Sequence, residues 1–266
     1  MERWQDKRIL ILGTTYPHHS AKYNETVCTG GIDEETLEMV RLYPVPMRYM
    51  EADQRFHKFQ WITAQVQRHE SDPRPESYRI KYDSIQLGDI VESPAVRRHY
   101  LEHSPDLVKS VEELKEKQER DQTSLGIVIP KDILDVSIDY RPNSEREEWE
   151  QAEKARAAQY RLFGDVIKPL DFPEARFMVQ WSCNDERCET HNMGLSQWGI
   201  HELYRKLKND PECEPKIIDA MQRQLDQWEK DVFLFMGNYR SVMYNFGLMD
   251  SYSAPIIHSS QPDLFS

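Results

Sequence analysis

The sequence predicts an α+β fold: a strand-rich, small-barrel-like N-terminal half packed on a mixed helix and strand C-terminal half with a zinc site, then a flexible tail. Three observations predict it. Short apolar or alternating runs broken by Gly and Pro fill residues 1–100. Helical periodicity and charge dominate residues 101–164, and strand-like and helical runs share residues 165–250. Two Cys and a His lie close together directly after a strand-like run, at residues 183–191.

The elements follow in chain order. Ile9-Leu10-Ile11-Leu12 is a short buried strand, Met39–Tyr43 nearly alternates, and Phe59–Val66 is rich in β-branched and aromatic residues. Gly30-Gly31, Pro44, Pro46, Pro73 and Pro75 separate them, and Leu87-Gly88-Asp89-Ile90-Val91 reads as a turn entering a strand. Ser104-Pro105 signals a helix over 104–122, with Leu107, Val108, Val111 and Leu114 at helical spacing. Ile127–Pro130 is a strand, and Pro142-Asn143-Ser144 starts a charged helix over about 145–162. Phe177–Trp181 is a strand, helices follow near 195–208 and 215–230, and Val232–Asn238 with Met243–Met249 forms a last strand pair. Residues 251–266 are Ser- and Pro-rich and read as a tail.

With 39% hydrophobic and 11% aromatic residues in 266, the chain can bury a core. Its mean hydropathy of -0.77 and the lack of any run near the ~20 apolar residues of a span exclude a transmembrane helix. The start, with neither an apolar signal region nor a small-residue cleavage site, predicts a cytoplasmic protein. Residues 1–100 hold 14 Lys and Arg against 15 Asp and Glu, and residues 101–266 hold 20 against 31, so the halves carry -1 and -11. Bulk charge therefore opposes non-specific duplex binding and points to the N-terminal half as the surface for any nucleic acid.

Cys183-x4-Cys188-x2-His191 has the ligand chemistry of a structural zinc ion in a reducing compartment. A fourth ligand is needed, and Cys28 or Cys213 can supply it; Cys28 would pin the two halves together. A catalytic zinc would need an open position and a carboxylate, locally Glu186 or Glu189. Arg41, Arg48, Lys58, Arg74 and Arg79 interleave with aromatics including Trp61, the pattern of a single-strand or modified-base surface. Half-buried barrel strands look the same. His18 and His19, with Asp72, Arg74 and Glu76 of a proline-locked segment, are the acid–base candidates for an enzyme acting on nucleic acid or nucleotides. No Gly-rich phosphate loop or nucleophile elbow accompanies them.

Glu25-Thr-Val-Cys28-Thr-Gly-Gly-Ile32, Arg41-Leu-Tyr-Pro-Val-Pro-Met-Arg48, Asp72-Pro-Arg-Pro-Glu-Ser77 and the Cys/His cluster together resemble a widespread prokaryotic protein family with no established reaction. The resemblance strengthens Cys28 as a zinc ligand. Separately, Gln261-Pro-Asp263-Leu264-Phe265 resembles the pentapeptide by which bacterial replication and repair proteins dock on the sliding clamp. The resemblance implies a clamp partner contacted by Gln261, Asp263, Leu264 and Phe265. The expectation is a zinc-stabilised accessory protein of DNA repair, replication or antiviral defence, tethered to the clamp. A non-catalytic subunit contacting other proteins of an assembly is the third reading.

Overall fold

The computed structural model describes residues 3–20, 24–161, 170–239 and 242–256. The N-terminal half is built from β1 (Gln5–Thr14), β2 (His18–Ser20), β3 (Asn24–Asp33), β4 (Met39–Val45), β5 (Gln60–Arg68), β6 (Ser77–Ile80) and β7 (Gln86–Ile90). β1, β3 and β4 are consecutive antiparallel neighbours, and β5 returns to pair with β1. β6 inserts between β5 and β4, parallel to β4, and so closes the circle. Five strands thus form a Greek-key barrel with the connectivity of OB-type folds.

The apolar run of β1 is continuous because both of its faces are buried. Ile9 and Ile11 point into the barrel with Val40, Leu42, Ile62 and Val66. Leu10 and Leu12 point the other way, into a second cluster with Phe233, Phe235 and Met249. Gly31 of β3 is required where strands crowd, since a Cβ there would lie 2.5 Å from Ile9 Cγ2.

The second half contains α1 (Pro94–Glu102), β8 (Leu107–Val108), α2 (Val111–Asp121), β9 (Leu125–Val128), β10 (Asp132–Tyr140) and α3 (Asn143–Arg161). It continues with β11 (Ala175–Ser182), β12 (His191–Leu195), α4 (Trp198–Leu207), α5 (Cys213–Gln224), β13 (Lys230–Tyr239) and β14 (Val242–Pro255). Its sheet has the order β10-β11-β12-β14-β13-β9-β8. Alternation again divides the faces. Phe233, Phe235, Leu125 and Ile127 meet the barrel, whereas Leu234, Met236 and Val128 lie under Leu114 of α2, Ile200 of α4 and Ile217 of α5. Barrel wall, sheet and helices are three layers with a core on each side of the sheet.

Three differences from the sequence reading have physical causes. The Ser-Pro helix signal occurs twice, and the helix starts at the first copy, where Ser93 caps α1 and Pro94 enters its first turn. At the second copy, Ser104 Oγ donates to Leu37 O and Asp106 accepts from Met39 N, which draws this segment onto the barrel. α2 therefore begins later, at Val111 under the Ser110 cap. Residues 101–164, read as a helical connector, also supply β8, β9 and β10 to the sheet. β14 continues past Ser251 to Pro255, because Val232 and Lys230 of β13 still pair with Ser253 and Pro255. Among the described residues no helix is long and apolar enough to cross a membrane.

Candidate metal centre

β11 and β12 form an antiparallel hairpin in which Trp181 pairs with His191, so its loop returns the chain to where it left. Cys183 follows the last residue of β11, Cys188 lies in the loop, and His191 opens β12. The fourth member comes from elsewhere: Glu112, in the first turn of α2. One ligand atom from each of the four lies within 4.8 Å of the others.

Local contacts hold this arrangement. Ser110 Oγ accepts from Glu113 N at 3.1 Å while Glu113 Oε2 accepts from Lys109 N at 2.9 Å, which fixes the start of α2. Ser110 Oγ also donates to Asp185 Oδ2 at 2.9 Å, and Arg187 bridges Asp185 and Glu116, so the hairpin loop is tied to the same helix. The Cys188 N–H donates to Asp185 O, and Cys183 N donates to Cys188 Sγ at 3.0 Å.

His191 Nε2 lies 3.2 Å from Cys183 Sγ and 3.2 Å from Cys188 Sγ. Tetrahedral zinc with its usual bond lengths separates such S and N ligands by about 3.5 Å. Glu112 Oε1 is 3.7 Å from His191 Nε2, while Glu112 Oε2 is buried without a hydrogen-bond partner among the described residues. Burial pushes the Cys183 thiol up to about 12, with Cys188 and Glu112 adding to the effect against a Val111 N–H. Burial lowers His191, opposed by Glu112. A divalent cation supplies the positive charge that this cluster of donors calls for, and the residues present fit it. The Trp181 ring, fully buried, packs 4.8 Å from the His191 ring and closes the inner side.

The other expected ligands are placed elsewhere. Cys213 is buried at the start of α5. Cys28 lines a cavity of about 130 Å³ between the halves with Thr15, Tyr43 and Asn238, and its sulfur accepts from Arg41 Nη1 at 3.6 Å. Glu112 thus stands in the position expected of Cys28. No spacing rule links it to the hairpin; the only local sign is the capping box that puts Glu112 in a helix's first turn.

The residues expected to contact nucleic acid are spread over several environments. Arg41 and Arg74 are buried between the halves, and Trp61 is buried beneath Arg8 and against Tyr100. Lys58 is paired with Asp250 at 2.6 Å. Arg48 lines a separate cavity with Tyr16, Asp171 and Trp198, and Arg79 lies half-buried on β6. Of the acid–base set, Asp72 and Arg74 pair with each other, and Glu76 accepts from Ser124 N, Ser124 Oγ and Leu125 N. The side chains of His18 and His19, and Gln261, Asp263, Leu264 and Phe265, lie outside the described residues.

Residues 5–103 match the family model described as Domain of unknown function (DUF8758), and residues 107–265 match that described as Domain of unknown function (DUF8757). The second match spans more than half of the chain, and the chain belongs to that family. The two matches meet between α1 and β8, where the chain leaves the barrel side for the second sheet. No curated protein matches the sequence. Among solved structures, a murine DNA-binding protein bound with double-stranded DNA is 10% identical, with 97% of this chain and 100% of that chain covered and a TM-score of 0.32. A likeness at that score carries neither fold nor function.

Proposed function

We propose that this DUF8757 protein is a zinc-stapled accessory protein of DNA transactions, carried to its place of work by a C-terminal peptide that docks on the bacterial sliding clamp. The observation that carries the reading is the Gln261-Pro-Asp-Leu-Phe265 sequence, which follows the last described strand after only a short stretch. Adjacent Leu and Phe beside a Gln amide suit a hydrophobic groove with a polar rim, one of the recurrent modes of peptide capture. The family match extends to residue 265 and takes in this peptide.

Zinc suits a donor set of two thiolates, an imidazole and a carboxylate better than a hard cation does. Cys183, Cys188, His191 and Glu112 would hold it, joining α2 to the β11–β12 hairpin. The metal there supplies folding energy, since all four positions are taken by protein, with Cys183 buried and Glu112, Cys188 and His191 half-buried. Such a body acts by binding and positioning.

Two experiments test the reading. Immobilised bacterial sliding clamp retains the full-length chain, and Leu264→Ala with Phe265→Ala abolishes retention; undiminished retention of the double variant overturns clamp docking. Elemental analysis of purified protein gives close to one zinc per chain; less than about half an equivalent overturns the staple.

A further inference from the structure

An open groove of about 390 Å³ runs between the barrel side and the second sheet. Lys58 just before β5, Arg97 of α1, Arg223 of α5 and Lys230 of β13 line it, and none of its lining residues is acidic. In a chain with 46 acidic and 34 basic residues, this is a lining without carboxylates, the partners Asp250, Asp219 and Asp226 lying behind it. Gln224 and Tyr252 add an amide and a ring to the same walls. We infer that this groove binds the phosphodiester backbone of single-stranded nucleic acid.

The cations are held ready in different ways. The Arg97 guanidinium lies 4.6 Å from the Phe59 ring centroid and 5.6 Å from that of Tyr252, and its Nε donates to Val91 O. Its two Nη groups have no protein acceptor among the described residues, so a flat, oriented fork is left for a phosphate. Among the described residues Arg223 pairs with Asp219 alone and Lys230 with Asp226, each a solvent-accessible pair one helical turn or one short loop away. Pairs of this kind are weak and exchange readily for a ligand oxygen. Lys58 is different: it is fixed by Asp250 and by Ser251 O, and sets the floor of the groove.

Several cations along a channel, hydroxyls and amides between them and an accessible aromatic ring are the parts of a single-strand binder. Position adds to the argument. Ser251, Tyr252 and Ser253 of β14 form one wall, and β14 ends at Pro255. From Ser253 to Gln261 the chain spans at most about 28 Å when extended. A clamp held by the tail would therefore sit within reach of this groove, although the inference stands without the clamp.

The test is fluorescence anisotropy of the full chain with a labelled 20-mer oligothymidylate at two salt concentrations. Binding weakens with salt with a slope of about -0.7 for each phosphate contacted, so Arg97, Arg223 and Lys230 together give a slope of about -2. Arg223→Glu with Lys230→Glu weakens binding at least ~10-fold and makes the slope shallower by about 1.4, while the thermal transition stays that of the unaltered chain. Arg97→Gln weakens binding separately. Failure of the unaltered chain to bind, or unchanged binding by the Arg223/Lys230 variant, overturns the inference; a duplex that competes as well as the single strand overturns its assignment to single strands. The Leu264/Phe265 variant keeps oligonucleotide binding whatever the clamp result, so the two proposals fail independently.

Discussion

Arg41 and Arg74 converge on one carbonyl. Both donate from Nη1 to Asn238 O, at 3.2 and 3.1 Å, although they come from different strands and loops of the barrel half. Arg41 also donates to Ser124 O and Ser124 Oγ at 3.0 Å, and Arg74 forks onto Asp72 at 2.9 and 2.6 Å. Two guanidiniums, Asp72 and the backbone of the second sheet therefore form a polar seam between the halves. Three of the motifs that stand out in the sequence, around Cys28, Arg41 and Asp72, meet at this seam.

Arg74→Ala strips Asp72 of its partner while leaving the carboxylate buried. Removing one member of a buried pair costs about 3–5 kcal/mol. Urea unfolding of the variant is expected to show that loss with an unchanged slope. A cost below about 1 kcal/mol would mean that water enters the seam and replaces the guanidinium.

Acid stability reads the same contact. Burial works to raise the Asp72 carboxyl, but the hydrogen bonds and charge of Arg74 outweigh it and hold the group down at about 2. In the unfolded chain it titrates near about 4. The folded state thus favours the ionised form: the contribution is fully present above about pH 4 and is lost as pH falls through about 2. It amounts to about 2 kcal/mol at the scale of about 1.4 kcal/mol per unit. Asp72→Asn should flatten the fall in stability between about pH 4 and 2 while lowering stability at neutral pH; a stability profile still falling as steeply there would assign acid sensitivity to other carboxylates.

The seam and the metal centre differ in how far they could be read from residues alone. Cys183, Cys188 and His191 are legible because a hairpin brings near neighbours together, and the chemistry of thiol and imidazole is distinctive. Glu112 is one carboxylate among many and is selected only by the packing of α2 on that hairpin. β1 is legible from its apolar run, yet the run cannot say that its two faces serve two different cores. Arg74 looks like a surface arginine in a proline-rich loop until Asn238, 164 residues away, is placed against it. Basic residues interleaved with aromatics suggest a nucleic-acid surface, but Arg41 and Arg74 are buried against the second sheet and Trp61 under Arg8 and Tyr100, contacts that local sequence does not encode.

The metal ligands are expected to separate into two grades. Cys183→Ser removes a buried ligand and lowers the thermal midpoint and the soluble yield together, because the metal contributes to folding. Glu112→Gln keeps the shape of the side chain but weakens its grip on a cation. It should release zinc to a chromogenic chelator faster than the unaltered chain, with a smaller loss of stability than Cys183→Ser. Release at the unaltered rate would remove Glu112 from the coordination shell.

The two halves pack tightly at Gly13 of β1, where a Cβ would lie 2.6 Å from both Cβ and Oδ2 of Asp250 on β14. Asp250 is unable to step aside. Its carboxylate accepts from Lys58 Nζ at 2.6 Å, Gln197 Nε2 at 2.6 Å and Ser251 N at 2.7 Å. Burial raises its pKa against the charge of Lys58, so displacing it from Lys58 would leave a poorly solvated charge. Gly13→Ala must therefore push β1 away from β14, at a cost of about 1–3 kcal/mol typical of overpacking. Asp250→Gly removes both obstructing atoms but strands Lys58 and frees the strand backbone, so each single variant is destabilised. Combining them should cost less than the sum of the two by about 1 kcal/mol or more, since the alanine at 13 then fills space that Asp250 has vacated. Strict additivity in chemical unfolding would show that β1 and β14 do not touch at this point.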